Sequence, residues 1–449
     1  MEKQFYPLSA SQQIVKLQTT LNLFKRVGNI MFVLTFDEPY DRDVMRKAFG
    51  LLFERIDSLR TRFVKKDGKT VQYFAESGSA GEIPEITLSS YKKQTAFEHR
   101  YRRGMLKPSK GETLKAVFAK GPDGKDLIYV KVSHFAADTA AIGVIVSDLL
   151  GVYDALKKGT ELPEAPAAFE PVLKKDVAFL ENEDLLKKDQ EFFEDYYRNR
   201  HPEHAVYCGL HGGNCELWQK QKRKGRYSVP YLFVRCDTEG SRYVIPKAIV
   251  KQAVDWCGKE QVTIANFFYY AYAVACSLRN DREKYQQNLI LLNSRSTVAE
   301  KKCAGTKVQS VGMYTTVDYE KSWNENIKAL VAEQSELYRH TRMSYVDVQG
   351  LQHKVWGHSP LTQLDNFCYS FIPFKTPAGV SMQVCSNGKG TLCAYVALMF
   401  NPDTFELQAV YDVQPIMTSP VELTEFQNVL IRTIEAVLES PEKKLGEIL

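Results

Sequence analysis

The chain is short of the features that would place it outside the cytoplasm. Its nine cysteines, an odd number in 449 residues, fall in no regular framework. They read as small buried residues of a reducing compartment rather than as disulfide partners. No run approaches the roughly 20 apolar residues that a membrane span needs. The opening Met1-Glu2-Lys3-Gln4-Phe5 lacks the basic-then-apolar order of a secretory leader. A cytoplasmic protein without a membrane partner is expected. Charge of one sign is also scarce, since the net +5 is modest for this length and implies no nucleic-acid partner by itself. There is no Gly-x4-Gly-Lys-Ser/Thr phosphate loop and no Gly-x-Ser-x-Gly nucleophile motif, so nucleotide-driven and serine-covalent mechanisms lose support. Hydrophobic residues at 44% and charged ones at 25% exclude a disordered or fibrous class.

What is present divides into two α/β halves of similar content, an α/β (α+β, two-layer) class. Lys157 to Pro166 interrupts regular structure with Gly159, Pro163 and Pro166, which predicts domains over 1–165 and 166–449. Before the break, Ile30 to Phe36, Leu114 to Lys120 and Leu127 to Val132 read as strands and Asp41 to Arg55 as a helix. Beyond it, helices are predicted over Asn182 to Asn199, Pro246 to Cys257, Thr263 to Leu278, Trp323 to His340 and on to Leu438. Strands are predicted over 288–292, 309–317, 367–372, 391–400 and 405–411. No residue-level repeat relates the halves.

The most informative segment is Ser133-His134-Phe135-Ala136-Ala137-Asp138-Thr139, at a strand-to-helix turn. Strand ends present side chains to clefts, and a histidine near its ordinary pKa can take or give a proton at neutral pH. A carboxylate four residues on can fold back to orient a neighbour. His-x3-Asp alone is weak, because a satisfied structural histidine has the same signature. Two other clusters stand out. Lys220, Lys222, Arg223, Lys224 and Arg226 crowd one polar loop, which reads as a solvated turn or as an attractor for an acidic partner. His201, His204, Cys208, His211 and Cys215 offer zinc-type ligands, but their spacing matches no well-known finger, and Gly209, Gly212 and Gly213 suit a flexible loop. No metal is expected there.

Taken in order, seven segments resemble the condensation domains of nonribosomal peptide synthetases and, more distantly, the chloramphenicol-acetyltransferase-like, coenzyme A-dependent acyltransferases. They are Tyr6-Pro7-Leu8-Ser9-Ala10-Ser11-Gln12; Phe53 to Phe63, a helix end running into Leu59-Arg60-Thr61-Arg62-Phe63; Ser133 to Thr139; Gln261 to Asn266; Asn293-Ser294-Arg295; Val311-Gly312-Met313-Tyr314; and Tyr411-Asp412 with the tail Ser440 to Leu445. The chain departs from the family at Ser133 (a histidine there), Thr139 (glycine) and Thr316 (asparagine). The resemblance implies two chloramphenicol-acetyltransferase-like subdomains in a V-shaped pseudodimer with a central tunnel, acting as a monomer. It makes His134 the catalytic residue, as base or as stabiliser of the tetrahedral intermediate. It gives Asp138 and Arg295 a structural ion pair, and Ser133 and Thr139 supporting places beside the histidine. Ser9, Gln12, Arg62, Tyr314 and Thr316 become tunnel candidates, and the loop from Lys220 to Arg226 a docking site. The implied activity is acyl transfer by a free-standing enzyme acting in trans. It would join an acyl or aminoacyl thioester on the phosphopantetheine of a carrier protein to a small amine or alcohol, without an intrinsic cofactor. An acyl-coenzyme A-dependent N- or O-acyltransferase and a catalytically inactive scaffold are the alternatives.

Overall fold

The alternating stretch before the histidine becomes the middle strand of a five-stranded sheet in the computed structural model, which describes residues 3–21, 25–200, 209–210, 229–230, 237–390 and 394–449. In chain order, β1 spans Asn29–Phe36, β2 Thr61–Lys66, β3 Lys69–Phe74, β4 Glu85–Thr87, β5 Leu114–Lys120 and β6 Asp126–Ser133. Helices α1 (Ala10–Leu21), α2 (Arg42–Arg55), α3 (Tyr91–Arg103), α4 (Thr139–Lys158), α5 (Glu170–Leu180) and α6 (Glu183–Arg198) are interspersed with them. The later strands are β7 (Val229–Pro230), β8 (Glu239–Ile245), β9 (Tyr285–Leu292), β10 (Gln309–Thr316), β11 (Thr362–Gln363), β12 (Cys368–Pro373), β13 (Val380–Cys385), β14 (Ala394–Asn401) and β15 (Glu406–Val413). Residues 391–393, the start expected for the strand now seen as β14, lie outside the described residues.

Two compact units emerge. The first comprises 1–183, 293–309 and 375–389, the second 184–292, 310–374 and 390–449. The first unit's sheet runs β13-β1-β6-β5-β4, with β2 and β3 as a separate hairpin. All of β6 is buried, because Phe32, Leu34, Ile128, Val130 and Val132 pack against α2 and α4 on one face, while Tyr129, Val117 and Met31 pack against Phe97 of α3 on the other. A strand covered on both faces reads as a continuous apolar run; between its polar ends, Asp126 and Ser133, Lys131 is the exception.

The boundary expected between residues 165 and 166 moves to Glu183/Asp184, and the reason is packing. Phe169, Val172, Leu173 and Val177 of the presumed linker side form an apolar cluster with Tyr6 and Cys303, so α5 stays with the first unit. A second correction concerns length: α4 is long and apolar enough to cross a membrane by composition alone. Its apolar residues Ile142, Ile145, Leu149 and Val152 are instead buried in the first unit's core. Asp148 on the same helix takes a bidentate bond from Arg55, with Nη2 to Oδ1 at 2.6 Å and Nε to Oδ2 at 3.0 Å.

The second unit carries a six-stranded sheet, β10-β9-β12-β14-β15-β8, and the pair β11-β7. Its central helix, Ile264–Arg279, is buried from Phe267 to Ser277 and capped by Thr263, whose Oγ1 accepts from the Asn266 N–H at 3.1 Å.

Candidate active site

Hydrogen bonds from three directions fix the turn after β6. The Ser133 N–H donates to Thr113 O and the His134 N–H to Gly28 O, both at 2.8 Å. The Ser133 carbonyl accepts from the N–H groups of Ala136 and Ala137 at 2.9 and 3.1 Å. Its hydroxyl accepts from the Phe135 N–H at 3.4 Å, so Ser133 braces the turn locally. Ala136 and Ala137 are buried, and their small side chains let the backbone tuck back on itself. Thr139 opens α4 and is not among the residues with positive φ. Its backbone has no need of the glycine found at this place in the resembling family.

Asp138 is the most heavily bonded residue of the segment. Its Oδ2 accepts from Arg295 Nη1 at 2.9 Å and from the N–H groups of Lys307 and Val308 at 2.6 and 2.9 Å. Its Oδ1 accepts from Arg295 Nη2 at 3.0 Å and, as the N-cap of α4, from the Ala141 N–H at 2.8 Å. A fork-to-fork pair of this kind fixes orientation as well as distance. Arg295 also donates to Asn293 Oδ1 at 2.6 Å and to the Gly305 carbonyl. Gly305 must be glycine, since a Cβ there would lie 1.9 Å from the Phe169 ring. Although Arg295 lies late in the chain, its segment belongs to the first unit, so the pair is internal to that unit. Behind it, Lys307 Nζ reaches Asp176 at 2.8 Å.

His134 is half-buried, and its Nδ1 is buried with no hydrogen-bond partner among the described residues. Burial lowers its pKa below the ordinary 6.5, with Asp138 and main-chain groups of His134 and Ala137 opposing more weakly. The imidazole is therefore neutral at physiological pH. Because Nδ1 is closed in, it is Nε2 of this neutral, half-buried ring that can accept a proton or a hydrogen bond from a substrate.

The remaining sequence candidates are dispersed. Gln12 is fully buried and exchanges reciprocal amide bonds with Gln72 at 2.8 and 2.5 Å. Its Nε2 also donates to the carbonyl of Phe135 at 3.2 Å, and its Oε1 accepts from the Ser9 N–H at 3.0 Å. Ser9 and Gln12 thus hold the histidine turn from behind, with their polar atoms spent on protein. Arg62 is partly buried over Gly111, donating to the carbonyls of Thr61 and Ser77 at 3.1 and 3.3 Å. Tyr314 and Thr316 belong to the second unit, where the Tyr314 N–H donates to Tyr196 Oη at 3.1 Å and the Thr316 carbonyl accepts from Tyr270 Oη at 3.1 Å. The basic cluster of Lys220, Lys222, Arg223, Lys224 and Arg226 lies outside the described residues, as do His201, His204, Cys208, His211 and Cys215. No metal-holding group of His, Cys, Asp and Glu occurs among the described residues. The backbone donors of Lys307 and Val308 carry no residue-type signature, and Gln72 lies 60 residues from its partner, so sequence reasoning passed over all three.

Comparison with known proteins points one way. The family model described as Condensation domain matches residues 2–365. Surfactin synthase subunit 2 of Bacillus subtilis (strain 168) is 24% identical over 199 residues, 44% of this chain. Bacitracin synthase 3 of Bacillus licheniformis is 23% identical over 206 residues, again 44% of the chain. The match spans only 5% of the length of the first synthetase and 3% of the second. Among solved structures, the first condensation domain of the calcium-dependent antibiotic synthetase, in complex with a substrate analogue, superposes with a TM-score of 0.80 at 16% identity, covering 99% of this chain and 100% of that one. A mutant starter condensation domain of rhizomide synthetase RzmA, in complex with C8-CoA and Leu-SNAC, gives 0.81 at 16% identity, covering 99% and 96%.

Proposed function

Because the chain belongs to the condensation-domain family, whose members are acyltransferases that form amide bonds, we propose that it transfers an acyl or aminoacyl group from a carrier-bound phosphopantetheine thioester to an amine, acting in trans. The observation that carries this reading is the His134 ring: neutral and half-buried, on a turn whose residue Asp138 is locked by five hydrogen bonds. In the step supported by this arrangement, the amine nitrogen forms a bond to the thioester carbonyl carbon and loses a proton to the imidazole. The C–S bond then breaks, and the departing thiolate takes that proton back from the imidazolium. Holding both reactants at one place turns a bimolecular step into an effectively intramolecular one. An alcohol in the amine's place would give an ester by the same proton path. A coenzyme A thioester is a second donor reading, favoured by the C8-CoA complex of a structurally similar domain.

The test is His134→Ala with a carrier-bound or coenzyme A thioester and an amine acceptor. The fold should persist, because the turn is held by main-chain bonds and by Asp138, and turnover should fall by about 10²-fold or more. Undiminished transfer in the folded variant would sink the assignment. Absence of transfer in the parent with either donor class would favour an inactive scaffold.

A further inference from the structure

The segment from Tyr91 to Lys110 carries Lys92, Lys93, Arg100, Arg102, Arg103, Lys107 and Lys110 against a single acid, Glu98: a net charge of +6, where the whole chain has +5. Its fold makes the imbalance a surface. Helix α3 turns Phe97 onto the sheet, and Glu98 goes inward with it, accepting from Tyr129 Oη at 2.7 Å and from Gln94 Nε2 at 3.1 Å. Lys92, Lys93, Arg100 and Arg103 are left exposed on the outer side, followed by exposed Lys107 and Lys110. None of the seven cations forms an ion pair among the described residues, whereas Arg42, Arg55, Lys115 and Lys125 elsewhere in the same unit each have a carboxylate.

Helix stability does not explain the pattern. Arg100, Arg102 and Arg103 suit the C-terminal end of α3, but Lys92 and Lys93 stand in a first turn without any acid, where the helix dipole disfavours cations. The surface is also tied to the histidine. The Lys131 ammonium donates to the carbonyls of Tyr101 and Gly104 at the end of α3. Lys131 precedes His134 by three residues, ~10 Å along the strand. We propose that the outer face of α3, continued by Lys107 and Lys110, docks the acidic carrier protein that delivers the thioester. The proposal rests on the function inferred above. It assigns the partner's contact to described residues within the unit that carries His134.

The test compares the parent with Lys93→Glu/Arg100→Glu/Arg103→Glu, all exposed positions whose reversal leaves the core untouched. Binding of a purified aminoacyl-phosphopantetheinyl peptidyl carrier protein is measured at low and at physiological salt, alongside transfer from a small soluble pantetheine thioester. The triple variant should bind the carrier about 10-fold or more weakly and lose most of its salt dependence, since steering by exposed charges is what salt screens. Its turnover of the small thioester should match the parent's. Unchanged carrier binding, or a parent that does not bind the carrier, overturns the proposal. So does an equal loss with both donors, or a loss confined to RNA or to anionic vesicles. Because binding is read without turnover, the two readings can fail separately. A His134→Ala protein that still binds the carrier through α3 while the parent shows no transfer would remove the catalytic reading and keep the docking surface.

Discussion

Removing the Asp138 carboxylate should cost more than removing the guanidinium it binds, and the structure supplies the reason. In Asp138→Ala, Arg295 stays behind with its side chain only 2% exposed and no carboxylate, holding Asn293 and the Gly305 carbonyl alone. An uncompensated buried charge costs about 3–5 kcal/mol, and loss of the N-cap on Ala141 adds about 1 kcal/mol. The Lys307 and Val308 N–H groups also lose their acceptor, at about 1–3 kcal/mol for a buried donor left unpaired. These terms overlap, so a net loss of about 4–6 kcal/mol is the working figure, a large part of the 5–15 kcal/mol that holds a typical domain. In Arg295→Ala the carboxylate keeps three main-chain donors, from Ala141, Lys307 and Val308, and the loss should be about 2 kcal/mol smaller. At about 2–4 °C per kcal/mol for a unit of this size, thermal unfolding should place Asp138→Ala lowest and Arg295→Ala several degrees above it. The double variant should fall close to Asp138→Ala, because the second substitution removes the charge that the first left stranded. Limited proteolysis across 293–309 should show the same order. Equal losses for the two single variants, or strictly additive losses in the double one, would refute the argument that one carboxylate organises all five donors.

Two further expectations concern protons. His134 has a folded pKa below 6.5 because of burial, so its neutral form persists into mildly acid solution and the acid limb of kcat/KM should fall below pH 6.5; in the same range the unfolded chain takes up a proton that the folded one refuses, so stability declines as pH drops below 6.5. A limb centred above 6.5 would contradict the desolvated ring. Lys131 is pushed down to about 8 from 10.5, chiefly by burial and secondarily by Lys115, a displacement worth about 3 kcal/mol against its charged form. Between pH 8 and 10.5 the unfolded chain holds the proton that the folded one sheds, so stability should rise across that window and stay flat below it. Lys131→Met should abolish the rise without lowering the melting temperature at pH 7; a fall of several degrees would show that the ammonium's bonds to α3 outweigh its desolvation.

What the sequence makes legible is what local periodicity encodes. The switch from strand alternation to helical spacing located His134 at a turn and Asp138 at a helix start, and β5, β6, α2 and α6 fall within a residue of their expected bounds. The linker was misjudged because Gly159, Pro163 and Pro166 do end α4, yet Val172, Leu173 and Val177 resume helical spacing immediately after. Gln12 and Arg62 were placed on a substrate path because the resemblance links whole motifs, whereas burial and pairing are decided residue by residue. The basic loop from Lys220 to Arg226 is conspicuous because its five cations fall within seven residues, whereas the seven cations from Lys92 to Lys110 are spread over nineteen. The inward turn of Glu98 shows only in three dimensions.

The histidine turn depends on residues far away in the chain, and this explains why no boundary read near residue 165 could isolate it. Arg295 lies 157 residues beyond Asp138, and the Lys307 and Val308 donors lie 169 and 170 beyond it. The strand that covers the edge of β1 comes later still, pairing Met31 with Cys385 and Phe36 with Val380. A chain that ended at the apparent linker would leave Asp138 with its cap bond alone and β1 as an open edge, the kind of surface that invites unwanted pairing. Bringing such distant segments together carries a loop-closure cost that grows only slowly with length. Satisfying a buried carboxylate five times over, with a strand added to the sheet, is the kind of gain that offsets it. The same arrangement makes the orientation of His134 conditional on the docking of 293–309, so a substitution there that never touches substrate still acts on the histidine through Asp138.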